Sequence, residues 1–85
     1  MNKAITSLIK FLLNHNIIGA KHFPENKLIQ SRIKWLNKQE QKDFKKQYKE
    51  LKKYLIRTKK RTGKSSTYHI SINPKNIKKI KELLK

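Results

Sequence analysis

The sequence contains no cysteine and only five acidic residues, with two glycines and two prolines among its 85 positions. Without cysteine, disulfide frameworks and zinc sites built on thiolate ligands are excluded. The apolar runs are at most three residues long, far below the roughly 20 residues that a membrane-spanning helix requires. We therefore predict no membrane partner. The length predicts one small domain, residues 1–85, because a two-domain enzyme needs a longer chain.

The charge balance is the strongest signal in the sequence. Lysine and arginine together number 23 against the five acidic residues, which gives a formal net charge of +18 with the histidines neutral. If lysine were frequent only through a coding bias, we would expect glutamate to offset its charge. The surplus of positive charge therefore points to a polyanionic partner. Together with the absence of cysteine, this surplus favours a cytoplasmic protein associated with the nucleoid.

Apolar residues at intervals of three and four predict an amphipathic first helix over residues 2–14. Its buried stripe comprises Ile5, Leu8, Ile9 and Leu12. Gly19 lies beyond the end of this helix, and the apolar pair Ile17 and Ile18 before it predicts a very short strand.

Pro24 and Glu25 mark the start of a second helix over residues 24–36. Proline in the first helical turn gives up no hydrogen bond, and a carboxylate beside it interacts favourably with the positive end of the helix dipole. The apolar stripe of this helix comprises Ile29, Ile33 and Leu36. We therefore expect Glu25 to act at the helix end.

Asn37 and Glu40 predict a capping box at the start of a third helix over residues 38–54, because the Glu40 side chain can reach back to the Asn37 backbone amide. The buried face of this helix comprises Phe44, Tyr48, Leu51 and Leu55. The turn between the second and third helices is then very short.

The apolar period changes to two after the third helix, which predicts a β-hairpin over residues 55–72. The alternating apolar positions of its second strand are Tyr68, Ile70 and Ile72. Gly63 in a polar stretch predicts the hairpin tip. Asn73 as a cap and Pro74 in the first turn then predict a C-terminal helix over residues 74–84.

This order of elements resembles the winged helix-turn-helix superfamily of DNA-binding domains, most closely its small archaeal and viral regulators. Residues 48–57 (YKELKKYLIR) resemble the end of the recognition helix and the first strand of the wing. Residues 61–64 (RTGK) and 67–70 (TYHI) resemble the wing tip and its return strand. The resemblance implies an α+β, mainly α fold with three helices, a β-hairpin wing and a C-terminal helix.

The outward side of the third helix and the hairpin supply the candidate DNA contacts. Lysine provides point charges for phosphates, glutamine can pair with adenine edges, and hydroxyl groups also contact the backbone. The predicted contact residues are Lys38, Gln41, Lys42, Lys45, Lys46, Lys49, Lys52, Lys53, Lys59, Lys60, Arg61, Thr62, Lys64 and Ser65. The alternatives are a solvated charged helix face and an edge strand that lysines keep from aggregating.

The residues that catalysis or metal binding would need are scattered. The three histidines show no ligand spacing, and Ser65 and Ser66 have no evident activating partner. We therefore predict no enzyme activity, catalytic residue, metal or cofactor. Among the aromatic residues, Trp35 and Tyr54 are the two for which base stacking competes with a core position.

We expect a double-stranded DNA-binding protein, a small transcription regulator, with residues 38–54 in the major groove and the hairpin 57–68 on the backbone or minor groove. A nucleoid architectural protein without base readout and an RNA-binding or ribosome-associated protein are the alternatives. One such domain reads few base pairs, so we also expect a homodimer. The candidate dimer residues are Phe11 and Leu13 in the first helix and Ile77, Ile80, Leu83 and Leu84 in the terminal helix.

Overall fold

A computed structural model describes residues 2–63 and 65–84 and has an α+β, mainly helical architecture. The four α-helices are α1 (Lys3–Asn14), α2 (Glu25–Ile33), α3 (Lys38–Leu51) and α4 (Ile77–Leu83). The three strands are β1 (Phe23–Pro24), β2 (Leu55–Thr62) and β3 (Ser65–Ile72). Two 3₁₀ turns, Lys52–Tyr54 and Pro74–Asn76, precede β2 and α4.

The strands form an antiparallel sheet in the order β1-β3-β2. The prediction of a strand at Ile17 and Ile18 is wrong, because the first strand of the sheet lies further along, where Phe23 pairs with Ile70. Ile18 makes only an isolated parallel bridge to Ile72. The β2–β3 hairpin is long, since its register runs from Leu55 opposite Ile72 outward to the tip.

The core lies between α1, α3 and the inner half of the sheet. The predicted stripe of α1 is buried, and so are Phe44, Tyr48 and Leu51 of α3. Ile70 and Ile72 of β3 close the core from the sheet side, and Ile80 of α4 completes it. On α2 the fully buried residue is Leu28 rather than Ile29, which is partly buried.

The capping box at the start of α3 is confirmed. The Asn37 side chain accepts a hydrogen bond from the Glu40 backbone N–H at 2.8 Å, and the Glu40 carboxylate accepts one from the Asn37 N–H at 3.3 Å. Asn73 likewise caps the 3₁₀ turn at Pro74 through the backbone N–H of Lys75. These polar signals act within a few residues of the chain, which is why the sequence predicts them.

Three helices are shorter than predicted. α2 ends at Ile33, and its carbonyl accepts the backbone N–H of Leu36 at 2.9 Å in an i to i+3 bond that tightens the chain into a turn. α3 ends at Leu51 and continues as the 3₁₀ turn Lys52–Tyr54, and the C-terminal helix likewise starts as a 3₁₀ turn before Ile77. None of the helices within the described residues is long and apolar enough to cross a membrane.

Candidate nucleic-acid interface

The charged residues of α3 are separated by sign around the helix axis. At about 3.6 residues per turn, its five lysines fall within roughly 100° of the circumference, and its three acidic residues fall within a separate arc of roughly 80° that begins about 40° beyond Lys46. The lysine row consists of Lys38, Lys42, Lys45, Lys46 and Lys49, all of them exposed. The acidic edge consists of Glu40, Asp43 and Glu50. One flank of α3 is therefore purely cationic.

The lysine row lies on the flank of α3 that is next to α2 and the hairpin. Tyr48, which borders this flank, donates a hydrogen bond to Glu25 at the start of α2. Glu25 in turn accepts hydrogen bonds from Arg57 of β2. These bonds link the Tyr48 edge of the lysine row to the base of the hairpin and so connect the two groups of cations.

The acidic edge lies on the other flank, next to α1 and α4. Gln47 accepts a hydrogen bond at 2.8 Å from the backbone N–H of Asn2, which precedes α1. Glu50 lines an apolar groove together with Leu83 of α4. The Gln47 side chain is therefore not free, because it ties α3 to the start of α1.

The alternation of the strands distributes the cations of the hairpin over both of its faces. Lys59 and Arg61 lie on the face that carries Ile70 and Ile72 further down the hairpin, whereas Lys60 lies on the other face. All three cationic side chains are exposed. The outer half of the hairpin is therefore positively charged on both faces.

The structure describes only part of the predicted hairpin tip. The backbones of Thr62 and Ser65 pair with each other at the end of the ladder. Gly63 follows Thr62 with a φ of +60°, the left-handed conformation that glycine adopts without strain. The prediction for Lys64 lies outside the described residues, as do those for the side chains of Thr62 and Ser65.

A buried carboxylate joins the hairpin to α2 and α3. The Arg57 guanidinium donates to Glu25 from Nε, at 3.1 Å to Oε1 and 3.0 Å to Oε2, and from Nη2 at 2.9 Å to Oε1. The Tyr48 hydroxyl donates to Glu25 Oε2 at 2.6 Å. The guanidinium carbon also lies 3.6 Å from the ring centroid of Tyr68, a cation–π contact. Glu25 therefore does more than interact with the end of α2, because it also bonds the hairpin to α3 through Arg57 and Tyr48.

The protonation states of this cluster follow from its contacts. Burial alone would raise the pKa of Glu25, but the hydrogen bonds from Arg57 and Tyr48 and the charges of Arg57 and Lys52 outweigh burial and lower the pKa. Burial and the hydrogen bond to the Glu25 carboxylate both raise the pKa of Tyr48. Glu25 is therefore ionised and Tyr48 neutral at pH 7, which is the arrangement that lets the hydroxyl donate.

A histidine pair connects the other face of the hairpin to the segment before β1. His22 Nδ1 lies 2.9 Å from His69 Nδ1, so one ring donates and the other accepts, and at least one ring is neutral. Burial, together with the charges of His22 and Lys60, lowers the pKa of His69. No sequence pattern predicts this pair, because the two residues lie 47 positions apart in the chain and share no motif.

Gln41 is not free to contact bases in the way that was predicted. Its Nε2 donates to the carbonyl oxygen of Ile33 at 3.3 Å and to that of Leu36 at 3.1 Å, across the turn between α2 and α3. These carbonyls lie at and just beyond the C-terminal end of α2, where backbone acceptors lack helical partners. The side chain therefore serves to close the turn.

We expect the Gln41→Ala substitution to lower the free energy of unfolding by about 1–2 kcal/mol, because two carbonyl groups lose a donor. The order of preference among duplex sequences should stay unchanged. Urea unfolding and competition binding measure the two effects. Gln39→Ala is the matched control, because Gln39 is exposed and bonds only to Asp43 at 3.3 Å on the surface. A reordered sequence preference in Gln41→Ala would return this residue to the interface.

The two predicted contact lysines in the 3₁₀ turn after α3 differ from the lysine row. Lys52 is partly buried, with its Nζ 5.9 Å from the ring centroid of Tyr48. Lys53 is exposed and forms an ion pair with Glu50 at 3.4 Å. Lys52 is therefore less available to a phosphate than the five lysines of the row.

Comparison of the chain with protein-family models, with curated proteins and with solved structures finds no match. What the chain binds must then be inferred from the chemistry of its own surface. The most distinctive part of that surface combines the lysine row with Lys59, Lys60 and Arg61 of the hairpin. Within residues 2–63 and 65–84, no group of three metal-ligating side chains comes together.

The apolar residues considered for a dimer are largely used by the core. Phe11 packs edge to face against Phe23, with ring centroids 5.1 Å apart. The Arg32 guanidinium carbon lies over the Phe11 ring, 5.1 Å from its centroid. Ile80 is buried, and the partly buried residues that pack against the core are Leu13, Ile77 and Leu84. Leu83 is the dimer candidate that remains exposed, at 37%.

Proposed function

We propose that this chain binds double-stranded DNA as a winged helix-turn-helix domain and acts as a small transcription regulator. The lysine row of α3 faces the major groove, and the β2–β3 hairpin lies along the backbone or in the minor groove as the wing. Lysines of α3 and the cations of the hairpin contact phosphates on both sides of the groove. Such a protein would act in the cytoplasm, on the nucleoid.

The observation that carries the proposal is the separation of charge on α3. An exposed helix that only needs solubility mixes both signs on its surface. Here the acidic edge is confined to the flank beside α1 and α4, and the flank beside the hairpin carries lysine alone. A polyanion can approach that flank without meeting a carboxylate.

The order of the elements supports the winged-helix part of the proposal. A helix and a short strand precede the pair α2 and α3, and a two-stranded hairpin follows, with β3 in the centre of the sheet. The short turn between α2 and α3, closed by Gln41, fixes the angle at which α3 leaves the core. This turn takes the place of the glycine-containing turn often found between such helices.

An architectural role without strong sequence preference is the second candidate. It is favoured by the engagement of Gln41 and Gln47 in internal hydrogen bonds. Without these amides, the exposed flank offers mainly lysine, which recognises phosphates better than base edges. Binding competition between random and genomic duplexes separates the two roles, and preference for structured RNA would indicate an RNA-binding protein instead.

We propose that the DNA-bound form is a homodimer. The groove that Leu83 shares with Ile5, Leu51 and Tyr54 lies on the acidic flank, away from the lysine row. An interface there would place the acidic edge of α3, rather than its lysine row, beside the partner chain, which reduces the repulsion between two chains of +18. The first and terminal helices would form it, as the sequence suggested.

Replacing Lys59, Lys60 and Arg61 together with glutamine should weaken the binding of all duplexes alike. If each side chain contacts one phosphate, the slope of log affinity against log salt should become less negative by roughly 1 per residue removed. Fluorescence anisotropy with several duplex sequences at several salt concentrations measures both quantities.

The matched control replaces Lys78, Lys79 and Lys81 of α4, which are also exposed and carry the same total charge. Its affinity and salt slope should change far less, because α4 lies on the acidic flank. Equal losses in the two triple variants would mean that net charge alone, and not the hairpin, determines binding.

A further inference from the structure

The single tryptophan of the chain, Trp35, is the most exposed large apolar residue among those the structure describes. It is 83% exposed in the turn between α2 and α3, whereas the next, Tyr68, is 38% exposed and lies under Arg57. Tyr54, the other candidate for base stacking, packs against the core. A single exposed apolar side chain is common on folded proteins, so a partner for Trp35 is inferred from how its ring is held and from what surrounds it.

Trp35 is presented by a turn held in place by hydrogen bonds. Gln41 binds the carbonyl groups on both sides of it, at Ile33 and Leu36, and the Leu36 N–H closes back onto Ile33 at 2.9 Å. The capping box of α3 begins one residue further on. The exposure of the ring is therefore a property of a closed turn, and a partner would pay little entropy to engage it.

The surroundings of Trp35 are cationic. The Lys34 ammonium lies 5.3 Å from its ring centroid, and Lys38 begins the lysine row three residues later. The other exposed large apolar residues, Ile56, Tyr68 and Leu83, belong to β2, β3 and α4. A protein interface requires a cluster of apolar groups with a depleted charge at its centre, whereas an isolated aromatic ring among cations suits a nucleic-acid base.

The position of Trp35 determines which base it can meet. The lysine row begins next to Trp35 and extends along α3 for about 16 Å, roughly five base steps, toward the hairpin end of the helix. Trp35 therefore stands at one end of the surface that the proposed function assigns to the duplex. Inside a continuous duplex each base is stacked on both faces, so the ring finds no free base face there, whereas an unpaired base offers one.

We propose that Trp35 stacks on an unpaired base, and that the preferred ligand is duplex DNA that continues into a single-stranded segment. This inference rests on the proposed function, since the lysine row and the hairpin hold the duplex part. The single-stranded part adds stacking energy that a fully paired duplex cannot supply.

The test compares a dumbbell duplex closed at both ends by non-nucleotide linkers, which has neither free ends nor unpaired bases, with the same duplex closed at one end and carrying a short single-stranded overhang at the other. The overhang DNA should bind roughly 5- to 100-fold more tightly, the range expected for stacking of one base. Trp35→Ala should abolish this difference and leave dumbbell binding unchanged, and Trp35→Tyr should retain part of it. Ile56→Ala, which removes another exposed apolar side chain, is the control and should behave as the native chain does.

Fluorescence of the native chain gives an independent readout, because Trp35 is its only tryptophan. The overhang DNA should quench this emission strongly and the dumbbell should not. If the chain binds the dumbbell but shows neither tighter binding of the overhang DNA nor selective quenching by it, the stacking proposal is refuted and the proposed function stays intact. Binding of neither DNA at low salt would refute the proposed function itself. Equal weakening of both DNAs by Trp35→Ala would make Trp35 a general backbone contact, contrary to the proposal.

Discussion

Raising the salt concentration from 50 to 200 mM is expected to weaken the binding of duplex DNA by roughly 500- to 15,000-fold. The lysine row and the three hairpin cations make five to eight phosphate contacts plausible, and each contact releases condensed counterions from the DNA. The slope of log affinity against log salt should then be roughly −4.5 to −7. Fluorescence anisotropy over a series of salt concentrations measures it.

The control for this prediction is the stability of the free protein, measured over the same range of salt concentration. The thermal unfolding of the free chain should not become more favourable with added salt, because screening relieves the repulsion among its 23 basic residues and so stabilises the folded chain. A weaker complex at high salt then reflects the interface rather than unfolding. Binding that barely changes over this range would contradict the phosphate contacts on which the proposed function depends.

Glu25→Ala should lower the free energy of unfolding by about 2–4 kcal/mol, the largest effect expected of a single substitution outside the apolar core. The change leaves the buried Tyr48 hydroxyl without its acceptor and Arg57 without its ion pair. The cost is less than that of a fully buried pair, because the Arg57 side chain is 40% exposed and can turn toward water. Urea unfolding followed by circular dichroism measures it.

Glu82→Ala is the matched control, since Glu82 is an exposed carboxylate on α4 and its loss should cost little. Tyr48→Phe separates the parts of the cluster, because it removes one hydrogen bond and leaves the ion pair in place. Equal stability of Glu25→Ala and Glu82→Ala would mean that the cluster does not stabilise the fold.

The same cluster predicts how stability depends on pH. The pKa of Glu25 is lower in the folded chain than its ordinary value of 4.5, so the folded state favours the ionised carboxylate. Its contribution is therefore fully present above pH 4.5 and is lost as the pH falls from there through the folded-state pKa. The loss of stability below pH 4.5 should accordingly be smaller in Glu25→Ala than in the native chain.

The parts of the fold that were predictable from sequence depend on residues close together in the chain. The capping box of Asn37 and Glu40, the apolar stripe of α1 and the tip glycine Gly63 each act over a few residues. The bond between Glu25 and Arg57 spans 32 residues, and no local pattern marks it. A buried ion pair depends on the tertiary packing that brings its partners together, which periodicity does not encode.

The candidate interface was predictable in its charge and only partly in its contacts. The exposed lysines of α3 follow from helical spacing, because their separation from the buried stripe is a matter of angle. Gln41 has the same spacing as an outward residue at the edge of that stripe, and its true role depends on where the end of α2 lies. The first strand was misplaced for a similar reason, since Phe23 pairs with a residue of β3 that lies 47 positions away.

The central claim is that DNA binds on the flank of α3 beside the hairpin, and residue-resolved NMR of the isotopically labelled chain tests it most directly. Addition of a duplex at low salt should shift the backbone amide signals of α3 and of the outer half of the hairpin. Any shifts of α1 and α4 should be confined to the groove around Leu83, where the proposed dimer forms. Shifts confined to α1 and α4, or no shifts at a concentration of DNA that saturates other basic domains, would contradict the claim.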